Sequence, residues 1–108
     1  MNCWVRGEIF GEMESGVGTP FDYGDVIAYA AQTRALEAGT IIGLGRVSNE
    51  DESVGLGCIG ERRAMEFINE GSVKTDLLEC GDVVKIDHQD YGGNSVFGAI
   101  QQKVTPIG

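Results

Sequence analysis

A chain of 108 residues with 42% hydrophobic residues is expected to be one domain, residues 1–108, with a thin core. Its 17 Asp and Glu against 8 Lys and Arg leave a formal charge of −9, a field that repels nucleic-acid phosphates and anionic membranes. Three widely spaced cysteines (Cys3, Cys58 and Cys80), a single histidine and no CxxC pair argue against a zinc module.

Reduced, structural thiols in a cytoplasmic protein are the expectation from that cysteine usage. The opening "MNCWVRGEIF" has neither a basic region nor an apolar run of the signal-peptide kind. Nothing approaches the roughly 20 consecutive apolar residues of a membrane span. A thin core also leaves apolar surface at its boundary, so burial in a homo-oligomer is expected.

In chain order, "CWVRGEIFGEMES" predicts a hairpin: Cys3 to Arg6, a turn at Gly7-Glu8, then Ile9 to Glu14. A Gly/Pro loop, "GVGTPF", follows. "DYGDVIAYAAQTRALEAG" then predicts a helix whose small apolar face carries Tyr23, Val26, Ile27, Ala30 and Ala31. Asp22 or Asp25 caps its first amides, Gly39 ends it, and its alanines allow close approach to a sheet. "TIIGLGRV" predicts a strand, weakened by Gly43 and Gly45, which mark a bulge or a close backbone approach. "SNEDES" is a solvated turn.

"ERRAMEFINEG" predicts a second helix with Ala64, Phe67 and Ile68 on one side and Gly71 closing it. "GDVVKIDHQDYGGNSVFGAIQQKV" predicts a long hairpin with Val84 and Ile86 on one arm, Val96 and Ile100 on the other, and its turn at Gly92-Gly93. The order ββ-α-β-α-ββ gives an α+β class, predominantly β with two short helices and antiparallel pairing.

Few motifs carry chemistry. "GLGRVSN" lacks the third glycine of a dinucleotide fingerprint and the Lys-Ser pair of a phosphate loop, and acidic residues follow it; nucleotide binding is rejected. Glu12-x-Glu14 places two carboxylates on one strand face, where they could share a divalent ion. No third ligand is identifiable, and a solvated edge-strand face is the preferred reading. Asp87, His88, Asp90 and Tyr91 invite acid–base chemistry, but polar residues are expected beside a hairpin turn. Neither a GxSxG elbow nor a Cys–His pair can be assigned, so no catalytic residue is named. Arg46 has two open readings: a planar fork for a ligand carboxylate, or a salt-bridge partner of Glu50, Asp51 or Glu52.

Three segments, "DVIAYAAQTRALEAGTIIGLGRVSN", "CIGERRAMEFI" and "LLECGDVVKIDHQDYGGNSVFGAIQQKV", together resemble the C-terminal half of the fumarylacetoacetate hydrolase family. The likeness runs from about Val5 to Val104, with the segments in the family's order and spacing. It implies part of the family's mixed β-roll, in members that usually dimerise. It also implies a magnesium-type ion, held by a Glu-x-Glu pair and a distant Asp, that polarises oxo-acids for C–C hydrolysis, decarboxylation or isomerisation.

The family's metal carboxylates and catalytic lysine lie N-terminal to the matched part. They are not carried onto Glu12 and Glu14, and no metal ligand is assigned. Where the family has Gly-x-Gly-Thr, with the threonine at the substrate, this chain reads Gly43-Leu44-Gly45-Arg46. The resemblance therefore implies Gly45, Arg46, Ser48 and Asn49 as ligand-binding candidates. The leading expectation is a non-catalytic, homo-oligomeric binding module, a dimer first of all, with no cofactor and a small carboxylate near Arg46. The alternative is a hydrolase or decarboxylase of small oxo-acids that uses Mg or Mn, with the missing ligands supplied by another chain.

Overall fold

Turn chemistry sets the first hairpin. Strands β1 (Asn2–Val5) and β2 (Glu8–Glu12) are joined by Arg6-Gly7, with φ of 55° and 83°. Two central residues at positive φ make the tight turn whose twist matches paired strands. Glycine adopts that backbone freely; arginine needs help. Arg6 Nε and Nη2 donate to Asp82 Oδ1 and Oδ2 at 3.0 and 2.7 Å. Nη2 also reaches the Leu77 carbonyl, and the Arg6 amide donates to Val83 O.

The computed structural model describes residues 1–108. It shows an α+β protein in which one four-stranded sheet, ordered β2-β1-β3-β4, accompanies two helices. β3 (Val83–Asp87) and β4 (Ile100–Lys103) form the last hairpin, in register from Val83↔Lys103 to Ile86↔Ile100. β1 lies between β2 and β3, and every pairing is antiparallel, as the element order predicts. The last hairpin turns where glycine allows it: Gly93 has φ of 81°, and the Asp90 carboxylate accepts the amides of Gly92 and Asn94 at 2.9 Å. Val96 lies outside β4, although its amide still donates to His88 O.

Helix α1 (Tyr23–Ala31) starts at a reciprocal cap. Asp22 accepts from the Asp25 amide at 2.8 Å, and Asp25 accepts from the Asp22 amide at 3.1 Å. It stops well short of Gly39, because the amides of Gln32 and Thr33 turn back to Tyr29 O and Ala30 O. That three-residue spacing tightens and closes the last turn. The face predicted to pack on the sheet does not do so; α1 contributes no buried residue. Helix α2 (Ile59–Glu70) ends at Gly71, left-handed at φ 73°, as its sequence predicts.

No strand forms over residues 40–47; that segment is irregular and leads to a single 3₁₀ turn at Glu52–Val54. The physical reason is a missing partner. β1 already has a strand on each side, and the outer edge of β2 meets this part of the chain only at the isolated bridge Gly11↔Gly55. With helices of 9 and 12 residues and strands of only 4 or 5, the chain is not predominantly β. No helix is long and apolar enough to cross a membrane.

The core lies on one face of the sheet: Cys3, Phe10 and Met13, with Val5, Val47, Val54, Ile59 and Ile86 packed against them. A bulge between Cys3 and Trp4 inserts Phe10 as an extra residue of β2. α2 is fastened to this core by Arg62, which lies 3.7 Å over the Phe10 ring and donates to the Phe10 carbonyl. Its far side is held by Glu66, which accepts the amides of Lys74 and Thr75 at 2.8 and 2.9 Å and the Thr75 hydroxyl at 2.5 Å.

Those three donors, the Thr75 hydroxyl foremost, pull the Glu66 carboxyl from its ordinary 4.5 down to about 2. A depressed folded-state value stabilises above the unfolded value and loses that stabilisation as pH falls through the folded one. Melting temperature should therefore drop as pH falls from about 4.5 towards 2, and Glu66→Gln should flatten that part of the profile. A second expectation concerns Gly55, whose φ of 79° and ψ of −171° belong to a region open only to glycine. A Cβ there would sit 2.5 Å from the Phe10 carbonyl oxygen. Gly55→Ala should cost about 2–4 kcal/mol in urea unfolding.

Candidate functional site

The irregular segment Gly39 to Asn49 does not cross the sheet; it runs beside the core and ends against it. Val47 packs on the core cluster, and its carbonyl passes 2.8 Å from where a Cβ on Gly57 would stand. The close approach expected of Gly43 and Gly45 is thus made elsewhere, by Gly57 and Gly55. Nothing lies within 4 Å of a Cβ on Gly43 or Gly45. Gly45 matters through its backbone, since φ is 85° there and the following arginine is aimed by that bend.

Arg46 lines a cavity of about 900 Å³. Ser48, His88, Phe21, Tyr23 and Phe97 share its wall, as do Gly45 and Glu14. Arg46 is the only lysine or arginine on that wall. It has no carboxylate partner; the two salt bridges of the chain join Arg6 to Asp82 and Lys74 to Glu70. Of its two readings, the ion pair with Glu50, Asp51 or Glu52 is not formed. No carboxylate of the chain occupies its fork.

Ser48 lies on the wall with its hydroxyl donating to Glu61 Oε1 at 3.4 Å, and the other oxygen of Glu61 is buried without a partner. Asn49 is not on that wall. Its Nδ2 donates to the carbonyls of Glu14 (3.0 Å) and Val17 (3.2 Å), and its Oδ1 accepts the Glu14 amide at 2.8 Å. Asn49 therefore clasps the loop after β2, and that clasp positions the wall that Arg46 and Ser48 share.

No family model matches the chain, and no curated protein matches it. What the site can do follows from its own side chains. The residues present do not fit a divalent ion: nowhere do three His, Cys, Asp or Glu side chains group as ligands. Glu12 and Glu14 are exposed on either side of buried Met13, and β2 ends at Glu12. No step is routed through a metal.

The aromatic half of the wall is absent from the sequence-based candidates. Phe21 and Tyr23 come from the entry to α1, and Phe97 from the last hairpin. His88 stacks obliquely on Phe97, with ring centroids 5.6 Å apart at 52°. His88, named in sequence only beside its acidic neighbours, follows Val84 and Ile86 at strand spacing and so takes their side of the hairpin. Asp87, its neighbour, faces the other way. It is 4% exposed and accepts from Ser95 Oγ and Gln89 Nε2 at 2.5 and 3.0 Å. Those bonds, that from Ser95 first, hold its carboxyl below the usual range. Asp87 is a structural tie, and Tyr91 at the tip is fully exposed.

Cys58 forms the N-cap of α2 beside the same arginine. The backbone N–H of Glu61, and then the Arg46 guanidinium, favour its thiolate and push its pKa below the ordinary thiol value. Buried Cys3 is shifted the opposite way by desolvation. Cys58 should accordingly be alkylated by iodoacetamide at lower pH than Cys3, and Arg46→Ala should move its rate profile towards higher pH. A peptide-resolved alkylation series from pH 6 to 10 reads both.

Proposed function

We propose that this chain carries the fold of the C-terminal part of the fumarylacetoacetate hydrolase family and acts as a self-associating binding module for a small carboxylate, held at Arg46. The observation that carries the reading is Arg46 itself: an arginine without an ion-pair partner, at the wall of a cavity it shares with no other lysine or arginine. A carboxylate meets arginine through two parallel charge-assisted bonds, stronger than neutral ones and geometrically selective. The Ser48 hydroxyl and His88 supply further polar contacts on the same wall, and Phe21, Tyr23 and Phe97 supply an apolar one. In a chain of net charge −9, this is also a place where an anion meets a local cation.

Ligand that binds only the folded state raises stability by RT ln(1 + [L]/Kd), about 1.4 kcal/mol when the ligand stands at ten times its Kd. For a domain of this size that is a rise of several degrees in melting temperature. Oxalate or pyruvate at millimolar concentration should produce it, with chloride at matched ionic strength as the reference. Arg46→Ala should abolish the rise and leave the unliganded melting temperature within about a degree, since an exposed side chain without an ion-pair partner is normally worth little to stability. A variant that responds like the parent, or a parent that responds to neither acid, overturns the reading.

A further inference from the structure

The chain exposes far more surface than a folded protein of its mass. Its accessible area is 8089 Å², against roughly 5,800 Å² for a compact monomer of 11.5 kDa. Its radius of gyration is 16.7 Å, where a compact chain of this length has about 13 Å. Only 5 of 108 residues are buried. The excess, about 2,300 Å², is well above the roughly 800 Å² per partner that a standard interface covers, and lies in the range of obligate dimers.

The two edges of the sheet are not equivalent. β2 is protected: a bulge interrupts its pairing with β1, and Gly55 bridges its outer side at Gly11. Bulges and covering loops are the devices by which proteins block a sheet edge. β4 has neither. Its four residues, Ile100 to Lys103, are all exposed, no proline lies among them, and its pairing with β3 is regular. Val96, Phe97 and Ile100 stand exposed on and beside it.

Charge points to what covers this edge. After Asp90 the sequence contains no Asp or Glu, although the whole chain has 17. In a protein of charge −9, two copies repel each other over most of their surface. The stretch that carries β4 is where they can meet without opposing carboxylates.

We infer that a second copy of this chain pairs with the first along β4, antiparallel about a two-fold axis, joining two four-stranded sheets into one of eight strands. The inference rests on the self-association in the reading above and names its surface. A two-fold axis at Gln101 sets the two Gln101 residues opposite each other, each Ile100 opposite Gln102 of the other copy, and each Lys103 opposite Ala99. No like charges face each other, the free backbone groups of both edges are paired, and Val96, Phe97 and Ile100 are covered.

Charge exchange at the two glutamines tests this. Three samples are compared by sedimentation velocity over a concentration series: Gln101→Lys with Gln102→Lys, Gln101→Glu with Gln102→Glu, and an equimolar mixture. Both side chains are exposed, and circular dichroism with a thermal melt confirms that each double variant is folded. The parent is expected to be a dimer. Each double variant alone should self-associate at least tenfold more weakly, and the mixture should recover the parental association. A parental dimer that persists in both double variants overturns the β4 interface and leaves self-association standing. A parent that sediments as a monomer throughout overturns both.

Discussion

The structure depends on backbone passing against backbone where a side chain would not fit. Met13, 1% exposed, occupies the space between Gly11 and Gly57, and a Cβ on either glycine would meet its sulfur or terminal methyl. Gly55 lies against Phe10 and Gly11 at comparable closeness. These approaches fasten the stretch from Val47 to Cys58 onto the outer side of β2. Everything after it inherits the position: α2 starts at Ile59, and Arg46 is delivered to the cavity wall. Sequence places a small residue at each contact, packing follows from its absence of side chain, and the site follows from the packing.

Because the buried core holds only Cys3, Phe10 and Met13, polar ties do much of the remaining work. Arg6 on Asp82, Arg62 on the Phe10 ring and carbonyl, and Glu66 on Thr75 join elements distant in sequence. Exposed ion pairs are individually weak. Bonds to a charged group that also satisfy backbone donors are worth more. Asp82 and Glu66 each do this, accepting backbone amides as well as a side chain. The fold is therefore held by charge in places where larger domains use apolar contact, and it leaves Ile41, Phe67, Ile68 and Phe97 in solvent.

Where local chemistry decides, the sequence is legible. Both hairpins, the capping aspartates of α1 and the glycine that closes α2 are short-range decisions, and the structure has them, with the first turn at Arg6-Gly7 instead of Gly7-Glu8 and its second strand ending at Glu12 instead of Glu14. What fails depends on partners that no local pattern announces. "TIIGLGRV" has β-branched residues but pairs with no strand, and Ile41 stands 94% exposed. The apolar stripe of α1 has helical spacing but nothing in the chain that covers it. The same division runs through the site. Arg46, Gly45 and Ser48 come together because they are neighbours in sequence. Asn49 is withdrawn from the wall by a long-range clasp, and His88, Phe21 and Phe97 enter it through tertiary folding.

Arg46 has two claims on it, and this constrains how the site behaves. It stabilises the Cys58 thiolate at the head of α2, and it is the cation on the cavity wall. One guanidinium can fork to one anion at full strength; turning to a second weakens the first. Carboxylate binding and thiolate character are then coupled, and a coupling of this kind is reciprocal by thermodynamic necessity. On the proposed reading, a carboxylate that drew Arg46 away would raise the Cys58 pKa, because the guanidinium is one of the groups that lower it. Arg46 stands between the cavity wall and the start of α2.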